Sequence, residues 1–214
     1  MVRTGRPRGF DRDEAVQEAM LLFWEHGFEG TSLDRLRRAM GGISSASFYA
    51  AFSSKQSLYR EALQRYLSSH GQVMAALRDP ALSPRRRIEQ ALRGSAAMQT
   101  EAGHPGGCMV ALSATIGSGE DAEARALTEA ERASNRQAIA ACVREAVESG
   151  ELDADIDVTG LSTLLEGLLI GLSIQARDGV PATAIDAAVT AALSAWDSHR
   201  RPGIQPSPKR KRGG

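Results

Sequence analysis

Helix start signals and helix stops recur along almost the whole chain. Asp11, Ser83 and Asp157 are each placed to cap the beginning of a helix, and Gly27 and Gly150 are each placed to end one. Between these points apolar residues recur at helical spacing, and no segment shows the alternation of a strand. The sequence therefore predicts an all-α protein with about nine helices in total.

The composition agrees with this fold class. Hydrophobic residues make up 42% of the 214 residues but aromatic residues only 5%, and Ala and Leu supply most of the apolar mass. Such a mixture favours helices packed closely on one another, because sheets prefer β-branched and aromatic residues. A chain with this much apolar content and no net charge is also not expected to be disordered.

The zero net charge hides an uneven distribution. Residues 1–66 carry ten basic and eight acidic side chains, residues 67–206 carry twelve and eighteen, and the basic run Lys209–Arg212 closes the chain. The acidic middle would repel a nucleic acid, so any DNA contact is expected near the N-terminus or on the tail. The tail is either a weak nonspecific clamp on DNA or a solvated charge run.

The sequence predicts a cytoplasmic protein without a membrane segment. Cys108 and Cys142 are the only cysteines, which does not suggest a disulfide framework. The N-terminal arginines are followed by no apolar stretch of the kind found in a signal peptide. The longest apolar run, Leu164–Leu172, contains Glu166 and is too short to cross a bilayer.

Residues 11–66 predict three short helices followed by a longer one, which is the size of a helix-turn-helix domain. Thr31 is expected to start the second helix, and Ser44 or Ser45 the third. Ser53, with Gln56 three residues later, is expected to start a long helix that reaches about Leu77.

The third helix has the properties of one that enters the major groove of DNA. It would present small hydroxyl residues and Tyr49 outward, while Phe48 and Phe52 form its buried side. Small side chains allow a close approach to base edges, and a tyrosine hydroxyl can reach a phosphate. From this pattern alone, a generic helical bundle that does not bind DNA remains an equal alternative.

A longer match favours DNA binding, because residues 5–63 resemble the N-terminal domain of TetR-type transcriptional regulators. The strongest features are the GFEGTS segment Gly27–Ser32, the SFYAAF segment Ser47–Phe52, and Lys55. Two features depart from the family pattern. Gly41 and Gly42 stand where many members have one glycine, and Ala51 stands where many members have a histidine that contacts DNA.

The resemblance implies which residues contact the operator. Thr31, Tyr49 and Lys55 are expected to hold phosphates, with Ser32 beside them. The residues expected to face bases are Ser44, Ser45, Ala46 and Ser47. Arg6 and Arg8, on the basic arm, are expected to reach the backbone or the minor groove.

The resemblance also implies a helical C-terminal domain that dimerises through its last two helices and binds an effector. Two apolar stripes support a homodimer, and a dimer makes a palindromic operator natural. The predicted interface consists of Leu161, Leu165, Leu168, Leu172, Ile185, Val189, Leu193 and Trp196. The alternative is that both stripes belong to the core of one subunit.

A candidate sensor lies in the segment His104–Gly117, which resembles a glycine-cysteine segment found in a subset of the family. Cys108 follows two glycines near a helix N-terminus, where a thiolate is favoured, so it could sense electrophiles or oxidants. We group it with His104 and Met109 as the predicted effector or sensor site. The alternative is an inert buried cysteine, and His104 with Cys108 lacks the further ligands of a metal site.

Taken together, the sequence predicts a dimeric repressor that leaves a palindromic operator when a small molecule or an electrophile binds. Residues 1–66 would form the arm and DNA-binding domain, 67–201 the effector-binding and dimerisation domain, and 202–214 a disordered tail. No enzyme motif is recognised and no cofactor is expected. The alternative is a dimeric helical adaptor that binds protein partners without recognising an operator.

Overall fold

A computed structural model describes residues 11–113 and 122–200. These residues form nine α-helices and one 3-10 helix without any β-strand, so the all-α prediction is confirmed. In chain order the elements are α1 Arg12–His26, α2 Leu33–Ala39, α3 Ser45–Phe52, α4 Lys55–Ser68, the 3-10 helix His70–Arg78, α5 Pro84–Thr100, α6 Met109–Leu112, α7 Ala122–Glu148, α8 Val158–Arg177 and α9 Ala182–Asp197.

The strongest cap signals of the sequence are used as predicted. The Asp11 carboxylate accepts hydrogen bonds from two backbone N–H groups at the start of α1. Ser83 and Asp157 cap α5 and α8, each by accepting a hydrogen bond from one backbone N–H group. Gly27 ends α1 with φ 71°, a left-handed conformation that favours glycine.

Three predicted helix boundaries need correction. The N-cap of α2 is Ser32 rather than Thr31, and the N-cap of α4 is Ser54 rather than Ser53. The helix begun at Lys55 does not continue to about Leu77, because the backbone of Ser69 leaves the helical region at φ −120° and ψ −94°. The chain then tightens into the 3-10 helix.

The core has two parts. The first joins α1 to α4 around Phe23, Trp24 and Phe48, and it also takes in Met98 and Met109 from later helices. The second packs α5, α7, α8 and α9 around large buried side chains such as Ile88, Ile139, Leu165, Val189 and Trp196. Because later helices reach into the first core, the DNA-binding part is packed directly against the rest of the chain.

Helix α8 is long and apolar enough, by length and composition, to cross a membrane. Its apolar stretch, within the 20 residues Val158–Arg177, is longer than the run Leu164–Leu172 that was expected to be too short to cross a bilayer. Leu161, Leu165 and Leu172 of this helix are buried inside the protein, among side chains of the second core. A core helix of a soluble protein meets the same criteria as a membrane span, but only 28% of the apolar window of α8 is buried, so packing within the subunit accounts for part of its composition.

Candidate nucleic-acid interface and adjoining cavity

Helix α3 is anchored on one side and open on the other. Phe48 and Phe52 are 0% and 1% exposed, whereas the residues from Ser44 to Ser47 and Tyr49 are exposed. The Ser44 hydroxyl caps the helix by accepting from the Ser47 N–H at 3.0 Å. The predicted orientation of this helix therefore agrees with the structure.

The turn between α2 and α3 depends on both of its glycines. Gly41 and Gly42 have φ values of 79° and 75°, which side chains with a Cβ rarely adopt. Arg37 fastens the turn because its Nε donates to the carbonyl of Ile43 at 2.8 Å. The additional glycine, which departs from the family pattern, is thus required by the backbone, and the third helix starts after Ser44.

The junction between α3 and α4 is a strained turn. Ser53 has φ 63° and ψ −44°, and the Ser54 N–H donates to the carbonyl of Phe52 at 2.6 Å. A three-residue turn of this hand is rare and costs about 1–3 kcal/mol outside glycine. This turn fixes the orientation of α3 relative to α4.

Lys55 is the first residue of α4, at a helix N-terminus, where the helix dipole favours an anion. Its ammonium lies 4.1 Å from the centre of the Phe28 ring. This cation–π contact holds the side chain near the helix N-terminus. The arrangement is compatible with the predicted phosphate contact.

Thr31 does not hold a phosphate through its side chain, so that prediction is corrected. The residue is 0% exposed, and its hydroxyl lies 2.7 Å from the carbonyl of Gly27, to which it donates. This hydrogen bond joins the end of α1 to the start of α2. The neighbouring Ser32 is exposed and uses its hydroxyl to accept from the Arg35 N–H.

Two arginines of α2 were not among the candidate DNA contacts predicted from the sequence. Arg35 and Arg38 are exposed and make no side-chain hydrogen bond or ion pair with the described residues. The signal was the RLRR run at 35–38, in which Leu36 is buried and the arginines surround it. Arg6 and Arg8 lie outside the described residues.

A cavity of about 310 Å³ lies beyond the DNA-binding helices. Its walls come from α4 to α8, and they are mostly apolar, with Val73, Met98, Val110, Ile139 and Leu169 among them. Such a cavity suits a small ligand that is largely apolar.

Cys108 lies in the wall of this cavity beside Tyr66. The Tyr66 hydroxyl donates a hydrogen bond to the Cys108 sulfur at 3.2 Å. Burial raises the pKa of Tyr66 well above its ordinary value, so the phenol keeps its proton at neutral pH. Cys142 differs, because it is buried away from this site and burial raises the pKa of its thiol.

The other two residues of the predicted sensor site have packing roles, which corrects that part of the prediction. His104 stacks on Trp24 with ring centres 4.5 Å apart, and its Nδ1 lies 3.0 Å from the carbonyl of Pro105. Met109 is buried in the first core. Neither residue lines the cavity, and no group of three potential metal ligands occurs among residues 11–113 and 122–200.

The predicted dimer interface also needs correction. Seven of its residues are buried in the second core of a single subunit, whereas Leu168 is only partly buried against that core and stays a predicted interface residue. The apolar periodicity correctly marked the buried faces of α8 and α9, but within the subunit these faces are covered by α5 and α7. The seven residues that are buried within the subunit are Leu161, Leu165, Leu172, Ile185, Val189, Leu193 and Trp196.

A different face of α8 and α9 is apolar and open. Leu164 is 50% exposed and Ile174 is 43% exposed. Between them, Gly167 and Gly171 face open space, since a Cβ added at either position would meet no atom within 4 Å. Helix α9 adds a row of exposed small residues, namely Ala184, Ala187 and Ala191.

Together these features define a class of protein. A capped, exposed helix held by two buried aromatic residues, preceded by a short helix and a tight turn, is a helix-turn-helix DNA-binding unit. It is attached to a helical part that contains a cavity. This combination is typical of regulators in which one part binds DNA and another binds a ligand.

The comparisons with known proteins identify the family. Residues 16–62 match the family model described as bacterial regulatory proteins, tetR family, and residues 84–192 match a tetracyclin repressor-like C-terminal domain. The chain is 32% identical over 180 residues to the HTH-type transcriptional repressor ComR of Escherichia coli strain K12, which covers 82% of this chain and 83% of that protein. The protein belongs to the TetR family and is a DNA-binding transcriptional regulator.

Two solved structures extend the comparison. A cysteine mutant of the TetR family regulator CifR, complexed with 26-base-pair operator DNA, is 42% identical, with a TM-score of 0.79 and coverage of 90% of this chain and all of that one. Reduced NemR of E. coli has a TM-score of 0.70 at 18% identity, covering 91% of this chain and 98% of that one. The second likeness shows the fold alone.

Proposed function

We propose that this protein is a homodimeric repressor that binds a palindromic operator and is released by a small-molecule or electrophile effector. The observation that carries the proposal is α3, whose small polar face is exposed while Phe48 and Phe52 hold the opposite face in the core. The operator complex of CifR and the repressor ComR support this assignment. Both favour it over an adaptor that binds only proteins.

The operator contacts follow from exposure and charge. Residues 44–47 face bases, and Tyr49 donates its phenol hydroxyl to a phosphate. Lys55, the backbone near Ser32, and the exposed Arg35 and Arg38 supply further phosphate contacts. Arg6 and Arg8 keep their predicted role on the N-terminal arm.

The homodimer forms through the open apolar face of α8 and α9. Leu164 and Ile174 would be covered by the partner, and Gly167 and Gly171 allow the two copies of α8 to approach closely. A two-fold pair of subunits then places two copies of α3 on successive major grooves.

The effector acts in the cavity beside Cys108. With a conjugated alkene as the electrophile, the Cys108 sulfur would form a bond with one alkene carbon, the carbon–carbon π bond would break, and the thiol proton would pass to the other alkene carbon. The added group occupies the cavity and competes with the hydrogen bond from Tyr66, which belongs to α4. A noncovalent apolar ligand in the same space would press on the same wall.

The remaining organisation follows the sequence predictions. Residues 1–66 form the DNA-binding part, 67–201 the regulatory part and 202–214 the tail. We place the protein in the cytoplasm, where it has access to the chromosome, and assign it no enzymatic activity, as its relatives are transcriptional regulators.

Selection of bound duplexes from a random pool tests operator recognition. We expect a palindromic consensus, and we expect Ser45→Glu to abolish its recovery because a carboxylate would face the bases. Ala130→Glu is the matched control, since it adds the same charge at an exposed position on α7. Recovery of no consensus by the wild-type protein would refute operator recognition.

Treatment with N-ethylmaleimide tests the effector site. Mass spectrometry should show one adduct on Cys108 and none on Cys142, together with loss of operator binding. The Cys108→Ser variant should keep its operator affinity under the same treatment. An unmodified Cys108, or a modified protein with unchanged affinity, would contradict the electrophile route.

A further inference from the structure

Arg177, the last residue of α8, binds three main-chain carbonyls from two other segments. Its Nη2 donates to the carbonyl of Trp24 at 2.9 Å, and its Nη1 to that of Glu25 at 3.0 Å. Its Nε donates to the carbonyl of Gly106 at 2.9 Å. The first two carbonyls lie in the last turn of α1, where backbone acceptors lack partners within the helix. Arg177 therefore caps a helix of the DNA-binding part from a helix of the regulatory part.

The segment 101–108 lies directly on α8 next to this contact. A Cβ at Gly106 would come within 2.9 Å of the Ala176 carbonyl oxygen, and one at Gly107 within 2.5 Å of the Ser173 carbonyl oxygen. The segment is also bound to α1, because the Trp24 Nε1–H donates to the carbonyl of Gly107 at 3.1 Å. It ends at Cys108, in the wall of the cavity. Gly106, whose carbonyl accepts from Arg177, is only two residues before Cys108, so a displacement of Cys108 reaches this hydrogen bond directly.

We propose that Arg177 is a positioning residue that transmits the state of the Cys108 cavity to the DNA-binding helices and fixes their distance from the dimer axis. The inference rests on the proposed function above. Helix α8 carries the proposed interface, so its end is fixed relative to the partner subunit. The planar guanidinium joins that end by directed hydrogen bonds, two to α1 and one to the segment 101–108, and an ammonium group cannot reproduce this arrangement. Movement of Gly106 removes one of them and releases α1 together with α2 and α3.

Substitution of Arg177 by Lys tests this role with readouts that simple destabilisation would not change. The first readout is operator affinity as the spacing between half-sites is varied by one base pair. The second is the loss of affinity caused by N-ethylmaleimide. For the wild-type protein we expect discrimination of at least about 10-fold between spacings and release of about 100-fold. For Arg177→Lys we expect both ratios to fall below about 5-fold.

Arg85→Lys is the matched control. Arg85 also makes a fork of hydrogen bonds, to the two carboxylate oxygens of Asp197, but it lies away from the junction. This variant should keep both ratios of the wild-type protein. If Arg177→Lys does not fold, as judged by circular dichroism, Trp24→Phe tests the same junction, because it removes the N–H that binds Gly107 while keeping an aromatic ring in the buried site. It should lower both ratios in the same direction.

The outcomes separate the two proposals. A wild-type protein that lacks spacing preference and does not respond to N-ethylmaleimide overturns the proposed function. A wild-type protein that shows both, with the ratios unchanged in Arg177→Lys or in Trp24→Phe, overturns only the role of Arg177.

Discussion

Replacing Leu164 and Ile174 together by Ala should break the homodimer while leaving each subunit folded. The two side chains are 50% and 43% exposed in one subunit. Complete burial of a Leu or Ile side chain contributes about 2 kcal/mol, so covering the remaining half contributes about 1 kcal/mol for each. In a two-fold dimer every substitution occurs twice, which gives four such contributions.

Alanine keeps one methyl group, so the expected loss is about 3 kcal/mol rather than the full sum, or roughly 100-fold in the dissociation constant of the dimer. Sedimentation equilibrium measures that constant directly. Gel shifts at protein concentrations between the dimer dissociation constants of the wild type and of the double variant should show that the variant no longer binds the operator. The reason is that a single subunit engages only one half-site.

Leu165→Ala is the control that separates the two faces of α8. Leu165 is 0% exposed within the subunit, so its truncation should lower the free energy of unfolding by about 2–5 kcal/mol without altering the dimer constant. The reasoning is refuted if the double variant dimerises as the wild type does while Leu165→Ala weakens dimerisation. That result would mean that the dimer interface is formed by the buried face of α8 that carries Leu165.

Three further predictions concern single side chains. Tyr49→Phe should weaken operator binding by about 1 kcal/mol per subunit, roughly 30-fold in the dimer, since a phosphate loses its hydroxyl partner. A salt titration followed by gel shift checks this affinity. An unchanged affinity would argue against the contact. Ser53→Gly should raise the free energy of unfolding by about 0.5–1 kcal/mol in urea denaturation, because glycine relieves the positive φ; no gain would mean that the turn is unstrained. The hydrogen bond from Arg85 lowers the pKa of Asp197, so stability from this pair is complete above the ordinary carboxyl pKa and is lost as pH falls through the lowered value. Asp197→Asn should therefore be less stable than the wild type by at most about 1 kcal/mol at neutral pH, and thermal melts in acid should show the gap closing.

Local signals in the sequence predicted local structure well. Asp11, Ser83 and Asp157 cap helices because each needs only backbone N–H groups two or three residues away. The exposed side of α3 followed in the same way, since Phe48 and Phe52 share one helical face. The family resemblance added expected roles for residues that spacing alone left open, and these roles stay predictions.

What the sequence could not predict depends on distant partners. Apolar periodicity marks which residues of α8 are buried, but it does not say whether α5, α7 or a second subunit covers them. Thr31 is turned inward by the carbonyl of Gly27, and Trp24 meets Gly107 across 83 positions of sequence separation. Arg177 gave no signal, because its hydrogen bonds go to main-chain carbonyls that every residue possesses and its ion-pair partner, Glu25, is 152 positions away in the sequence.

The chain has only two tryptophans, and they lie in different cores. Trp24 is packed against Tyr66, His70 and His104, where α1, α4 and the segment leading to Cys108 meet. A Trp196→Phe protein would keep a single indole at this meeting point. Its fluorescence would then follow rearrangement of the joint in real time, without an attached dye and without any need for DNA to be present.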